Sequence, residues 1–356
     1  MVSSSELYDL RTSMGLRENM LYICLRTPPD PTPRWFVHTS TTRLVQIPLL
    51  LYMPWQKSSV VSLNHGIYVI GGTVNGKATS GVFLLDCRTN KWSHVPSMRV
   101  ARASAITGVV NGKIYVVGGC QHKYSSEDWG EVFDPKTQTW EALMPPPEED
   151  INLIGAGFGS NRDCMVMDGK IYAATNLWET IYYSPSNDKR EQGRRWDTGG
   201  GVRRGWCLVG KVLYSCHVSG TILWSEAKEL EKEGISEPSI NWKEVKGLES
   251  LQNQLSSSRM VHHEPGLFDS STVGFSNEFE HRLPGFKLCK FGSNVVVYWD
   301  VLVGGLESLE IWCAEICLEG GDDEEIWGTI LCSNVVMMID PLLYRFKALH
   351  SLSVKV

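Results

Sequence analysis

Residues 111–147, NGKIYVVGGCQHKYSSEDWGEVFDPKTQTWEALMPPP, decide how the whole chain is read. The run Ile114-Tyr115-Val116-Val117 is β-branched and aromatic and stops at Gly118-Gly119. Glu131-Val132-Phe133 alternates and ends in the turn Asp134-Pro135-Lys136-Thr137, and Thr139 to Leu143 then runs into three prolines. A fourth run, Ala103 to Val110, joins the first through Asn111-Gly112, a strong short hairpin signal because both positions tolerate positive φ. The stretch therefore predicts four short antiparallel strands, with a Gly-Gly stop after the second and a Trp in the last.

Such a sheet cannot bury both of its faces alone, so copies must exist. Ile67-Tyr68-Val69-Ile70-Gly71-Gly72 places Tyr68 47 residues before Tyr115, and Trp92 lies 48 before Trp140. Downstream, Tyr172 follows 57 residues after Tyr115, Trp196 follows 56 after Trp140, and Trp242 another 46 after that. Val212-Leu213-Tyr214 and Val296-Val297-Tyr298 are weaker copies. A strand–turn–strand unit recurring at this period predicts an all-β propeller. The second-strand tyrosines 22, 68, 115, 172, 214 and 298 give six blades.

Composition bounds the function classes. Net charge is −6, so no global field attracts nucleic acid. The ten cysteines form no C-x-x-C pair, no N-x-[ST] acceptor occurs and no signal peptide is visible, which favours cytosol or nucleus. Leu44 to Trp55, the most apolar stretch, is broken by Pro48 and Pro54 and is too short to span a membrane.

The Tyr, Gly-Gly and Trp pattern resembles a kelch repeat. Near the N-terminus, Glu6-Leu7-Tyr8, Arg11, Gly15, Glu18, Leu21-Tyr22 and Cys24-Leu25 resemble the passage from the F-box into the propeller in plant F-box/kelch-repeat proteins. PPDPTPRW at 28–35, NWKEVKGLE at 241–249 and EIWCAEICLE at 310–319 extend that resemblance along the chain. It implies a six-bladed kelch-type β-propeller, preceded at 1–20 by a short helical remnant of the F-box end with Ser5 as N-cap. The three-helix body of the F-box is not found ahead of this segment. The family role is substrate recognition in an SCF-type E3 ubiquitin ligase, with a target protein, a Skp-type adaptor and a cullin–RING ligase as partners. Coupling to the adaptor then depends on whether the remnant suffices. The alternatives are a free-standing kelch interaction module and a truncated, non-functional relative.

Blades are expected at 21–57 with a C-terminal strand from 342–356, and at 58–98, 101–147, 162–200, 205–248 and 286–331. Residues 250–285 read as an insertion, with a degenerate seventh blade as the alternative. Strands alternate in direction, so loops between blades and loops after second strands share one face. That face should carry Arg99, Arg102, His122, Tyr124, Arg162, Trp178, Arg203, Arg204 and His217, and Thr73 to Lys77 with them. Arg and Trp are the types that anchor protein contacts, and a guanidinium fork suits carboxylate or phosphate. The competing reading for Arg99 and Arg102 is that they brace neighbouring blades. Gly71, Gly72, Gly118, Gly119, Trp92, Trp140, Trp196 and Trp242 are expected to be structural.

Nothing points to catalysis or to a cofactor. No G-x-S-x-G, P-loop, H-E-x-x-H or G-x-G-x-x-G occurs. His262-His263 beside Glu264 lacks further ligands and reads as a solvated turn rather than a metal site.

Overall fold

The computed structural model describes residues 10, 14, 18–26, 33–39, 43–50, 57–120, 128–144, 164–174, 179–195, 203–217, 219–231, 239–257, 286–303, 308–320, 325–339 and 347–356. Their strands form six four-stranded antiparallel sheets and one small hairpin. Blade one holds β1 (Asn19–Arg26), β2 (Arg34–Thr39) and β3 (Arg43–Gln46). Blade two holds β4 (Ser59–Leu63) and β5 (Gly66–Ile70), then the hairpin β6 (Thr73–Val74) and β7 (Lys77–Ala78), then β8 (Val82–Asp86) and β9 (Lys91–Val95). Blade three is β10 (Ile106–Val110), β11 (Lys113–Val117), β12 (Gly130–Asp134) and β13 (Thr139–Ala142). Blade four is β14 (Cys164–Met167), β15 (Lys170–Ala174), β16 (Glu179–Ser184) and β17 (Lys189–Arg195). Blade five is β18 (Arg203–Val209), β19 (Val212–His217), β20 (Ile222–Glu226) and β21 (Lys243–Glu244), followed by helix α1 (Glu249–Ser257). Blade six is β22 (Lys287–Phe291), β23 (Asn294–Val303), β24 (Ser308–Gly320) and β25 (Ile326–Ile339), and β26 (Lys347–Lys355) returns to pair with β1 as the fourth strand of blade one.

Local chemistry sets the turns. Asn111 and Gly112 take φ of 52° and 74°, and Asp168 and Gly169 take 49° and 76°, the double positive φ that a two-residue hairpin turn requires. Period-two alternation then sends successive side chains to opposite neighbours. From β1, Leu21, Ile23 and Leu25 pack on blade six, while Tyr22 and Cys24 pack on blade two. Six apolar clusters result, one in each seam between adjacent blades, and the ring closes through the seam of six and one.

Blade five packs directly on blade six, with Tyr214 and Trp224 in one cluster with Val297 and Trp299. That contact excludes a seventh blade between them. The first part of the expected insertion is α1, whose Leu251 and Leu255 are buried in the same seam. Blade six also runs past its expected end at 331. Where β5 and β11 stop at Gly71-Gly72 and Gly118-Gly119, blade six has Trp299-Asp300, and β23 continues to Val303. Of the N-terminal helix, only Leu10 and Met14 are described, joined by a Met14 N–H to Leu10 carbonyl bond of 3.1 Å.

Blades two and three are locked by a buried ion pair. Arg102, 0% exposed, donates from Nε to Glu131 Oε1 at 3.1 Å. Its Nη1 reaches the Gly118 carbonyl at 2.8 Å and the Trp129 carbonyl at 3.3 Å, and its Nη2 reaches the Asp128 carbonyl at 2.8 Å. Glu131 in turn accepts the Arg99 and Val100 backbone N–H groups at 2.7 and 3.1 Å. A buried charge with one partner removed costs about 3–5 kcal/mol, far more than an exposed pair is worth. Glu131→Gln should therefore lower unfolding stability by about 3–5 kcal/mol, and adding Arg102→Met should recover much of the loss. Urea midpoints of the single and double variants check this, and strictly additive losses would refute it.

The seam of blades six and one holds a partly buried histidine. His38 Nδ1 lies 2.9 Å from the Tyr298 hydroxyl and 3.9 Å from Cys313 Sγ. Burial holds its pKa below the ordinary value, against a smaller upward pull from Glu315. A depressed folded pKa means the seam is fully stable above the unfolded value, about 6.5, and weakens as pH falls through the folded one. Between about pH 7.5 and about pH 5 the native chain should lose more stability than His38→Gln, as read from urea midpoints; equal losses would show that His38 is not responsible.

Candidate partner-binding face

The ends of second strands and the starts of first strands meet on one face, and in blades two and three the glycine pairs show why. Gly71 has φ of 59°, and a Cβ there would sit 2.3 Å from the Arg102 carbonyl oxygen. Gly119 has φ of 76°, and its Cβ would sit 2.7 Å from the Ala103 carbonyl oxygen. Any larger residue would push the linker 99–105 away from both strand ends. Instead the Gly72 N–H donates to the Arg102 carbonyl at 2.8 Å, and the Ala103 N–H to the Gly119 carbonyl at 2.7 Å.

Of the two readings open for Arg102, partner contact or brace, the brace holds. Its guanidinium lies inside blade three, and no surface is left for a partner. Arg99 separates from it: the backbone is fixed by Glu131 while the residue itself is exposed. The β6–β7 hairpin stands next to this linker, tied by the Arg102 N–H to Thr79 carbonyl bond at 3.1 Å and turned at Asn75-Gly76 (φ 51° and 76°). It presents Val74, 43% exposed, opposite Lys77. Lys57, which the sequence reading passed over, is exposed on the approach to β4 and gives its carbonyl to the Ser104 N–H at 2.6 Å.

Across the ring, His217 ends β19 on the same face. Its Nδ1 lies 2.7 Å from Ser219 Oγ, Ser219 Oγ lies 2.9 Å from Thr221 Oγ1, and Gln252 of α1 donates to Thr221 Oγ1 at 2.7 Å. Gly220, with φ of 84°, packs where a Cβ would meet the Gln252 carbonyl oxygen at 2.7 Å, so α1 is seated tightly against this loop. The extended part of blade six adds Val303 and Met338, 40% and 66% exposed. Leu251 and Leu255 stand at i, i+4 behind an acidic first turn, a helix signal that could have been read at 249–257.

His122, Tyr124, Arg162, Trp178 and Trp196 lie outside the described residues. Arg203 and Arg204 open β18, their backbones opposite His217 and Cys216; their side chains are likewise outside the description.

Among the structural tryptophans a repeat emerges. Trp92 donates from Nε1 to the Pro48 carbonyl at 3.1 Å and Trp140 to the Pro96 carbonyl at 2.7 Å, each fastening an outer strand to the blade before it. In blade four the corresponding cross-strand position belongs to Arg190, opposite Tyr183 as Trp140 is opposite Phe133. The expected match for Trp196 is therefore displaced by six residues in favour of Arg190, whose guanidinium stacks 3.6 Å from the centroid of Trp129. Trp242 packs against the seam of blades four and five.

All ten cysteines are free thiols. Burial pushes Cys87 and Cys289 up to about 12, so they stay protonated and behave as small hydrophobes. Among the described residues no group of three or more His, Cys, Asp or Glu is placed to hold a metal, and no helix is long and apolar enough to cross a membrane.

Residues 22–268 match the family model described as FKB95, Kelch-repeats domain. A putative F-box/kelch-repeat protein of Arabidopsis thaliana is 35% identical over 375 residues, covering 100% of this chain and 84% of the relative. A second F-box/kelch-repeat protein of the same plant is 30% identical over 375 residues, covering 97% and 83%. The solved structure of YjhT aligns with a TM-score of 0.42 at 11% identity, covering 81% of this chain and 98% of that one; the fold rests on the strand pairing itself. With the family model spanning most of the propeller and relatives aligned along nearly the whole chain, this protein belongs to the plant F-box/kelch-repeat family.

Proposed function

We propose that this chain is a non-enzymatic target-binding propeller, acting as the substrate-recognition subunit of an SCF-type E3 ubiquitin ligase. Family membership supports a protein-interaction module. The observation that carries the finer reading is the placement of the chain ends. β1 begins at Asn19, whose Nδ2 lies close to Gly292 in the turn between β22 and β23. Glu18 and Val356 exchange backbone hydrogen bonds of 2.9 and 2.8 Å at the same place. The lead-in from the N-terminal segment therefore joins the ring on the face of the hairpin turns, opposite the face of the linkers and second-strand loops. An adaptor held through that segment would leave the loop face open to a target. Specificity then lies in loops, which a rigid ring positions without needing to move.

Co-elution of the purified chain with a Skp-type adaptor on a sizing column tests this reading. Co-elution is expected, lost on removal of residues 1–17 and unchanged by Lys77→Glu on the loop face. A folded, monodisperse chain that elutes apart from the adaptor overturns ligase coupling and leaves a free-standing kelch interaction module.

A further inference from the structure

We propose that the blade-two sector of the loop face docks an acidic peptide segment, with Lys57, Lys77 and Arg99 as its cationic contacts. The proposal rests on the reading of this face as the partner-binding one and names the chemistry of the partner there.

Three segments converge on the buried Arg102. Lys77 is two residues from Thr79, whose carbonyl accepts the Arg102 N–H at 3.1 Å. Arg99 is three residues before Arg102 in the same linker. Lys57 gives its carbonyl to Ser104, two residues after Arg102, at 2.6 Å. An extended residue spans at most about 3.6 Å, so the three Cα atoms crowd within roughly 10–15 Å of Arg102. All three residues are exposed, and none is in an ion pair among the described residues. The carboxylate nearest them in the linker's own hydrogen bonding, Glu131, is buried and fully engaged by Arg102 and by the Arg99 and Val100 N–H groups. It does not neutralise the exposed cations at the surface.

On a chain with net charge −6 these three form a group of exposed cations. The turn face shows the opposite habit: Arg88 is paired with Asp86 and Lys113 with Asp134. Backbones at all three positions are held by hydrogen bonds, so the cations sit on a preorganised frame and binding need not order the loop first. An extended segment of three or four acidic residues, about 10–14 Å long, is enough to reach two of the cations at once. Val74, across the hairpin from Lys77, offers an apolar contact beside the charge.

The probe is a rhodamine-labelled deca-glutamate peptide, followed by fluorescence anisotropy against the full chain at about 50 mM and about 300 mM salt, since exposed charges are screened within the Debye length. Binding is expected at low salt and weakened at high salt. The triple variant Lys57→Gln, Lys77→Glu, Arg99→Glu should bind at least about tenfold more weakly. Lys136→Glu, a matched change in an exposed turn on the opposite face, should bind as the native chain does. Lys77→Glu alone, at a hairpin tip, should show part of the loss with an unchanged melting temperature, which separates docking from folding. No binding by the native chain, or equal weakening by Lys136→Glu, overturns the proposal. Loss confined to Arg162→Glu with Arg203→Glu would overturn the blade-two assignment and leave the face reading intact. A chain that co-elutes with the adaptor yet ignores the peptide refutes this inference alone.

Discussion

The pairing of β26 with β1 is the constraint on which the ring depends. Each blade has two apolar faces, and a blade at an open end would expose one of them together with an unpaired strand edge. The two chain ends remove that problem by sharing one sheet, paired from Asn19 opposite Lys355 to Arg26 opposite Lys347 with one register shift between Cys24 and Leu25. Blade one is then complete enough to offer Ile23 and Leu25 to blade six and Tyr22 and Cys24 to blade two. The closing strand also stacks His350 against Trp35, with ring centroids 6.3 Å apart. Because the closure lies on the hairpin-turn side, the linkers and second-strand loops of the other face are left to do something else.

What they do is organised by one buried charge. A guanidinium has five donors in a fixed fork and cannot be deprotonated, so a buried Arg must find acceptors in specific directions. Arg102 finds them in Glu131, Gly118, Asp128 and Trp129, four positions on blade three, while its own carbonyl takes the Gly72 N–H of blade two. Moving either blade would strand a charge in the core. The residue that composition marks as a partner anchor is instead what makes its exposed neighbours rigid.

The fold was legible because its signals are local. Asn111-Gly112, the Ile-Tyr runs and the Gly-Gly stops each fix a turn or a strand end within a few residues, and repetition does the rest. Bracing by Arg102 stood as the competing reading, but its partner was not legible, since nothing within five residues of it announces that Glu131 will lie beneath. Arg190 escaped for a different reason. A flat guanidinium covers Trp129 as an indole would, so the shape role survives while the letter that marks it changes. At blade six Trp299-Asp300 stands where blades two and three have two glycines, and β23 runs five residues further than β5 and β11 do. Leu251 and Leu255 were visible too, but only the seam of blades five and six gives their spacing a surface to bury. On the face itself, Lys77 and the arginines were placed by loop geometry, while Lys57 was passed over because only a backbone hydrogen bond between distant segments, Ser104 N–H to the Lys57 carbonyl, brings it to the Arg102 linker.

The two faces differ in how they treat charge, and the difference follows from loop length. Two-residue and four-residue turns hold their side chains within reach of the next strand, so charges there meet partners in the same blade. Asp134 illustrates this: the Lys136 backbone N–H and the Lys113 ammonium hold its carboxyl below the usual range. Linkers between blades are pinned through their backbones instead, as at Ser104, Arg102 and Gly72, and Arg99 stays exposed beside the buried Arg102. Arg88 and Lys113 are paired where the chain turns, while Lys57 and Arg99 flank the joining linker in no ion pair among the described residues. Recognition chemistry can therefore change along the linkers without disturbing the seams, because the hydrogen bonds that hold them belong to the backbone and to Arg102, not to the residues that face a partner.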